Sequence, residues 1–217
     1  MNKEGAMALD FYTNPMSRGQ IVRWMLEESG LPYEEKIVAY GPEMKGENYR
    51  QINPMGKVPA IVHEGRIVTE CAAICVYLAE MAQEADLAPH PDERADYYRW
   101  IFFAAGPVEA AVTTRAMGFS PQPDQEVMAG FGNYDLTMSV LEGALSGRDY
   151  LCGARFTAAD VYVGSQVDWG LTFGTIPSRP AFDTYAARLR DRPAYKRAKA
   201  RDQALIEAQN QAQGPQN

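Results

Sequence analysis

The chain is predicted to fold as an α/β unit on a mixed four-stranded sheet, followed by an all-α domain. Three observations predict this. Short strand-like runs alternate with a helical pattern through the first part of the sequence, strand signals stop at the Pro89-His90-Pro91 linker, and beyond it apolar residues recur only at helical spacing.

Ala8-Leu9-Asp10-Phe11-Tyr12 reads as a short buried strand closed by the turn formers Thr13-Asn14-Pro15. A helix follows: Ser17 is placed to cap it, Ile21, Val22, Met25 and Leu26 recur along one face, and Gly30 ends it with Pro32 just beyond. Tyr33 to Val38 is the second strand. A strand, a crossover helix and a strand at this spacing make a right-handed βαβ unit with parallel strands. After an irregular stretch around Tyr40-Gly41-Pro42, the runs Val58 to Val62 and Arg66 to Val68 flank His63-Glu64-Gly65 and predict a hairpin. Thr69 is a candidate cap for a helix through Ala72, Ile74, Cys75, Leu78 and Ala79. The order βαβ then ββα places this domain at residues 7–87.

In the second domain, placed at residues 93–208, Tyr97, Trp100, Ile101, Ala104 and Val108 suit one helical face, and Leu136, Val140, Leu141 and Ala144 another. Thr157-Ala158-Ala159-Asp160 has capping-box spacing and opens the run Val161, Val163, Val167. Phe182, Tyr185 and Leu189 mark a further helix before Arg192-Pro193. Residues 209–217, polar and Gln-rich, are expected to fray.

Composition narrows the function classes. With 21 basic against 28 acidic side chains, a polyanion meets net repulsion, so no nucleic-acid partner is expected. Cys71, Cys75 and Cys152 form neither a CxxC nor a disulfide framework, which fits a reducing, cytoplasmic location. The first residues lack a signal-peptide core and no apolar run approaches the ~20 residues of a membrane span, so no membrane association is expected. His63 and His90 lack clustered partners, so no metal is expected. Phosphate-binding glycine loops and a G-x-S-x-G elbow are absent from the sequence.

The segment Gln51-Ile52-Asn53-Pro54-Met55-Gly56-Lys57-Val58-Pro59-Ala60-Ile61, with Glu70-Cys71 at the next helix start, joins a turn, a strand entered through proline and a helix N-terminus bearing a carboxylate. These parts suit a small peptide held by its backbone and its charged end. With Phe11 to Arg18, Arg23 to Leu31 and Thr157 to Asp160 in the same order and spacing, the chain resembles the cytosolic glutathione transferases over nearly its whole length. The resemblance implies a thioredoxin-like N-terminal domain that binds glutathione, a helical C-terminal domain and a homodimer. It also implies an activity in which glutathione attacks a small hydrophobic electrophile.

Site residues follow from the same resemblance. A cis Val58-Pro59 bond would turn the Val58 N–H and C=O toward the cysteinyl unit, to be paired like an added strand. The helix start at Glu70-Cys71 is suited to the γ-glutamyl carboxylate, with Glu70 on the ammonium. Related enzymes usually carry Glu-Ser or Asp-Ser there, and the Cys71 thiol is a weaker donor than a hydroxyl. Gln51 and Lys57 are candidates for the glycyl carboxylate.

The chemistry needs a thiolate. A thiol of pKa ~8.5 is only about 3% ionised at pH 7, and lowering the pKa by ~2 units ionises most of it. Ser17, narrowly preferred, and Tyr12 are the rival hydroxyl donors, with the Asn14 amide a third candidate. Phe102, Phe103, Val108, Arg115, Trp169 and Phe173 are candidates to wall the electrophile. Thiol or disulfide exchange, isomerisation, peroxide reduction and non-catalytic carriage of hydrophobic ligands are alternatives on the same scaffold.

Overall fold

A computed structural model describes residues 9–213; Ala8 and the last four residues of the expected frayed tail lie outside that range. The chain divides into two compact units, the first containing residues up to Ala85 together with those from Arg192 onward, the second Asp86–Asp191.

The first unit runs β1 (Leu9–Thr13), α1 (Gly19–Ser29), β2 (Glu34–Ile37), α2 (Pro42–Lys45), α3 (Glu47–Arg50), β3 (Ala60–His63), β4 (Arg66–Thr69) and α4 (Cys71–Met81). The sheet order is β2-β1-β3-β4, with β1 parallel to β2 and antiparallel to β3, and β3 antiparallel to β4. This is the expected mixed sheet. Phe11 and Tyr12 leave it on opposite faces, as period-two alternation requires. Phe11 is fully buried beneath the Arg23 guanidinium of α1. Tyr12 packs with Val38, Met44 and Tyr49 on the face carrying α2 and α3.

Three local expectations are corrected. The α1 N-cap is Arg18, without a side-chain cap, while the Ser17 hydroxyl accepts the Gly19 N–H one residue further in. Thr69 is the last residue of β4, paired with Ala60, and the α4 N-cap is Glu70. The hairpin turn is the two residues Glu64 and Gly65, both at positive φ, while His63 stays in the strand. Gly30 ends α1 in the left-handed region and donates its N–H to Leu26, as expected.

The second unit comprises α5 (Arg94–Phe103), a π-helical turn (Ala104–Val108), α6 (Glu109–Ala116), α7 (Tyr134–Leu145), α8 (Ala158–Phe173) and α9 (Pro180–Arg190). Pro107 lies inside the π turn, where the regular ladder is already broken. The capping box forms: Asp160 accepts the Thr157 N–H at 2.9 Å, and its other oxygen accepts the Leu151 N–H and the Tyr185 hydroxyl at 2.9 and 2.8 Å. In α7 the apolar face is rotated from the expected one. Met138, Leu141, Ala144 and Leu145 are buried and Leu136 is 54% exposed.

The last helix, α10 (Pro193–Gln213), departs from the expected boundaries in two ways. It continues through residues 209–213, where fraying was expected, and it belongs with the first unit rather than with a helical domain at 93–208. Polar side chains on it and just before it find partners elsewhere in the first unit. Arg192 grips Glu28 at 2.6 and 2.8 Å, Lys199 reaches Gln20, and Tyr195 meets Trp24 edge-on. The wholly buried Arg23 bonds Asp202 of α10 at 2.7 Å and also pairs with Glu35 of β2.

Candidate active site

Strand register assembles the site. Tyr12 pairs with Ala60, and Ala60 with Thr69, so the residues after β1, before β3 and after β4 emerge at one end of the sheet. Those residues are the turn 14–18, the segment 53–59 and Glu70 at the start of α4.

In the first turn, the buried Asn14 amide donates to the Val38 carbonyl at 3.0 Å and its oxygen accepts the Met16 N–H at 3.0 Å. Ser17, 8% exposed, donates its hydroxyl to the Asn14 carbonyl at 2.6 Å and accepts the Gly19 N–H at 2.9 Å. Gly19 is required by close approach. A Cβ there would lie 1.9 Å from the Thr13 hydroxyl oxygen.

The second segment is tied from within. Asn53 accepts the Met55 N–H and donates to the Lys57 carbonyl at 2.7 Å, and Tyr49 donates its phenol to that same carbonyl at 2.8 Å. Lys45 reaches the Gly56 carbonyl at 2.6 Å. The Val58–Pro59 bond is cis, and neither the N–H nor the C=O of Val58 joins the backbone hydrogen bonds of the described residues. Backbone groups without such a bond are satisfied by side chains, water or a ligand.

At the third element, Glu70 is exposed with φ at 67°, a conformation side-chain-bearing residues rarely adopt and which costs about 1–3 kcal/mol. The half-buried Cys71 thiol donates to the Arg18 carbonyl at 3.6 Å, which brings the start of α4 against the turn carrying Ser17. Gln51 and Lys57 are both exposed.

Tyr12 packs against the same Val38, Met44 and Tyr49 cluster as Val58. Its ring tilts against Tyr49, 6.0 Å between centroids, and lines a cavity of about 820 Å³ with Lys36, Val38, Pro42, Asn48 and Ile52. Ser17, Val58, Glu70 and Cys71 do not line that cavity. Burial, with Asp10 adding to it, raises the Tyr12 phenol above its ordinary pKa.

The electrophile candidates do not gather as a group. Val108 is fully buried in the π turn and so is core, a correction to its expected role as a wall. Phe103 packs edge-on against Trp100, and Trp169 against Phe173, which is 72% exposed; Phe102 is exposed as well. Arg115 stacks over Tyr134 at 3.9 Å and shares a cavity of about 500 Å³ with Tyr134 and Arg179. Neither Phe103, Trp169 nor Phe173 lines that cavity.

Tyr49, Asn53 and Lys45 were not singled out by sequence reasoning. Tyr49 and Lys45 lie in helices of four residues, too short to show periodicity, and the only signal for Asn53 is its place beside Pro54 in the quoted segment.

Residues 16–81 match the family of the glutathione S-transferase N-terminal domain, and residues 98–193 that of the glutathione S-transferase C-terminal domain. The chain belongs to the glutathione S-transferase family. Among similar family members, glutathione S-transferase 1 of Schizosaccharomyces pombe is 30% identical over 155 residues, 66% of each chain. Glutathione S-transferase D7 of Drosophila melanogaster is 29% identical over 177 residues, 74% of this chain and 75% of that one. A glutathione transferase of Methylococcus capsulatus superposes with a TM-score of 0.74 at 26% identity, covering 90% of this chain and 99% of that one. A theta class glutathione S-transferase of Xanthomonas axonopodis pv. citri, solved with glutathione bound, gives a TM-score of 0.72 at 27% identity, covering 88% of this chain and 97% of that one. Among the described residues of this family member, no helix is long and apolar enough to cross a membrane, and no group of His, Cys, Asp and Glu is arranged to hold a metal ion.

Proposed function

We propose that the protein is a glutathione transferase: it binds glutathione on the first unit, lowers the pKa of the thiol, and directs the thiolate at a small hydrophobic electrophile. The observation that carries the reading is the Cys71 thiol against the Arg18 carbonyl, which joins the anion-attracting start of α4 to the turn that holds Ser17. The residues present suit glutathione. Val58 offers its N–H and C=O to the cysteinyl unit, the α4 N-terminus offers N–H groups to the γ-glutamyl carboxylate, Glu70 suits the ammonium, and Gln51 and Lys57 suit the glycyl carboxylate.

Ser17 is the preferred donor to sulfur. Its hydroxyl carries a single proton, now shared with Asn14, so activation turns that proton from the carbonyl to the thiolate while the Gly19 N–H continues to hold the oxygen. Tyr12 faces the cavity beneath α2 and α3, and Asn14 already spends one amide N–H on Val38. A phenol held above its ordinary pKa remains a protonated donor, so place and not protonation state separates Tyr12 from Ser17.

We propose further that the enzyme acts in the cytoplasm as a homodimer. Three cysteines with neither a CxxC nor a disulfide framework support a reducing compartment. The test is steady-state turnover of glutathione with a panel of aryl halides, epoxides, enones and peroxides, with sedimentation for the dimer. Conjugation of aryl halides or enones supports the transferase reading. Peroxide reduction alone moves the assignment to a peroxidase, and binding without turnover across the panel to a carrier.

A further inference from the structure

We propose that Tyr49 is a positioning residue for glutathione, its phenol setting through the Lys57 carbonyl where the Val58 peptide group stands. This deepens the function proposed above and rests on it. Lys57 immediately precedes Val58, and its carbonyl is the one backbone acceptor in the 53–59 segment drawn on by two side chains, Tyr49 at 2.8 Å and Asn53 at 2.7 Å. The two anchors differ in origin. Asn53 belongs to the segment and moves with it, whereas Tyr49 stands on α3 and ties the segment to a separate element.

The ring makes the tie a rigid one. Tyr49 is buried and packs with Val38 and Met44, and Tyr12, Ile52 and Val58 are packed against the same cluster. Val38 is also the residue whose carbonyl receives the Asn14 amide. Tyr49 therefore adjoins the residue that holds the Ser17 turn and bonds the residue that precedes Val58. A buried aromatic needs no hydroxyl to fill its place, so a phenol that extends from this cluster to a loop carbonyl has a purpose beyond packing. Burial pushes that hydroxyl up to about 12, so it is protonated and donating at every pH at which a thiol would be used.

Removing only the hydroxyl is a mild change in structure, because the Lys57 carbonyl keeps its bond from Asn53 and no buried acceptor is left alone. What changes is the position of Val58, and with it the tightness of glutathione rather than the chemistry at sulfur. In Tyr49→Phe, KM for glutathione is expected to rise about five- to tenfold, the scale of one neutral hydrogen bond, with kcat at saturating glutathione and KM for the electrophile within about twofold of wild type. Tyr49→Leu, which removes the ring as well, is expected to lower the unfolding midpoint and to show at least the same rise in KM. A Tyr49→Phe enzyme with wild-type KM for glutathione overturns the proposal, as does a fall confined to kcat. Calorimetry on wild type separates the two levels. Wild type that binds no glutathione removes the transferase reading and this one together, whereas wild type that binds it beside an unaffected Tyr49→Phe removes this one alone.

Discussion

The Ser17 hydroxyl donates to the Asn14 carbonyl across 2.6 Å, so the side chain proposed above as the donor to sulfur is already engaged by the turn that carries it. Activation is then a competition between a carbonyl and a thiolate for one proton, and the charged acceptor makes the stronger bond. Ser17→Ala is expected to lower kcat/KM about 10- to 100-fold with glutathione KM changed by less than about threefold, while Tyr12→Phe stays within about threefold in both. Steady-state kinetics on the two variants decides between the hydroxyls, and the reverse pattern names Tyr12.

At the start of α4, the Cys71 thiol donates weakly to Arg18. A serine hydroxyl in its place is a stronger donor for a carboxylate, so Cys71→Ser is expected to tighten glutathione about two- to fivefold. Calorimetric titration checks this. An unchanged affinity assigns the contact to the backbone N–H of residue 71 alone.

Asp202 and Arg23 are both shielded from water, and burial raises the Asp202 carboxyl while the guanidinium opposes that rise. Removing the carboxylate leaves Arg23 with Glu35 as its remaining charged partner in a buried setting. Asp202→Ala is expected to cost about 3 kcal/mol in denaturant unfolding and to release α10 before the rest of the first unit. Pulsed amide exchange follows the helix, and protection in α10 equal to wild type contradicts the prediction.

Tyr49 gives a pH signature. Its hydroxyl titrates at about 12 in the folded chain against about 10 when unfolded, so between those values the folded state holds a proton that the unfolded state has lost. Its share of stability is whole below pH 10 and is lost as pH rises toward 12, a share of about 2–3 kcal/mol. Tyr49→Phe is expected to flatten the fall in unfolding free energy between pH 10 and 12 by that amount, measured by urea titration at stepped pH.

Much of this architecture is legible in the sequence, and the exceptions have physical causes. The βαβ and ββα order follows from strand-length apolar runs broken by Thr13-Asn14-Pro15, Gly30 and Gly65, and the buried pattern Tyr97, Trp100, Ile101, Ala104, Val108 persists through a change from α to π winding. That same pattern concealed that Val108 is core, since periodicity reports which face is apolar and not whether a site or a neighbouring helix meets it. The allegiance of α10 was hidden for the opposite reason. Its contacts run through Lys199 and Asp202, with Arg192 just before it, and the polarity of these residues gives no sign of their partners Gln20, Arg23 and Glu28. Glu70 was legible as a helix start, but its positive φ was not, because nothing in the side chain calls for it.

Thiol ionisation is the central step, and an ultraviolet titration of enzyme-bound glutathione tests it directly. The thiolate signal is expected to rise with an apparent pKa about 2 units below the ~8.5 of a free thiol, leaving most of the bound sulfur ionised at pH 7. A bound thiol that titrates where the free one does contradicts it.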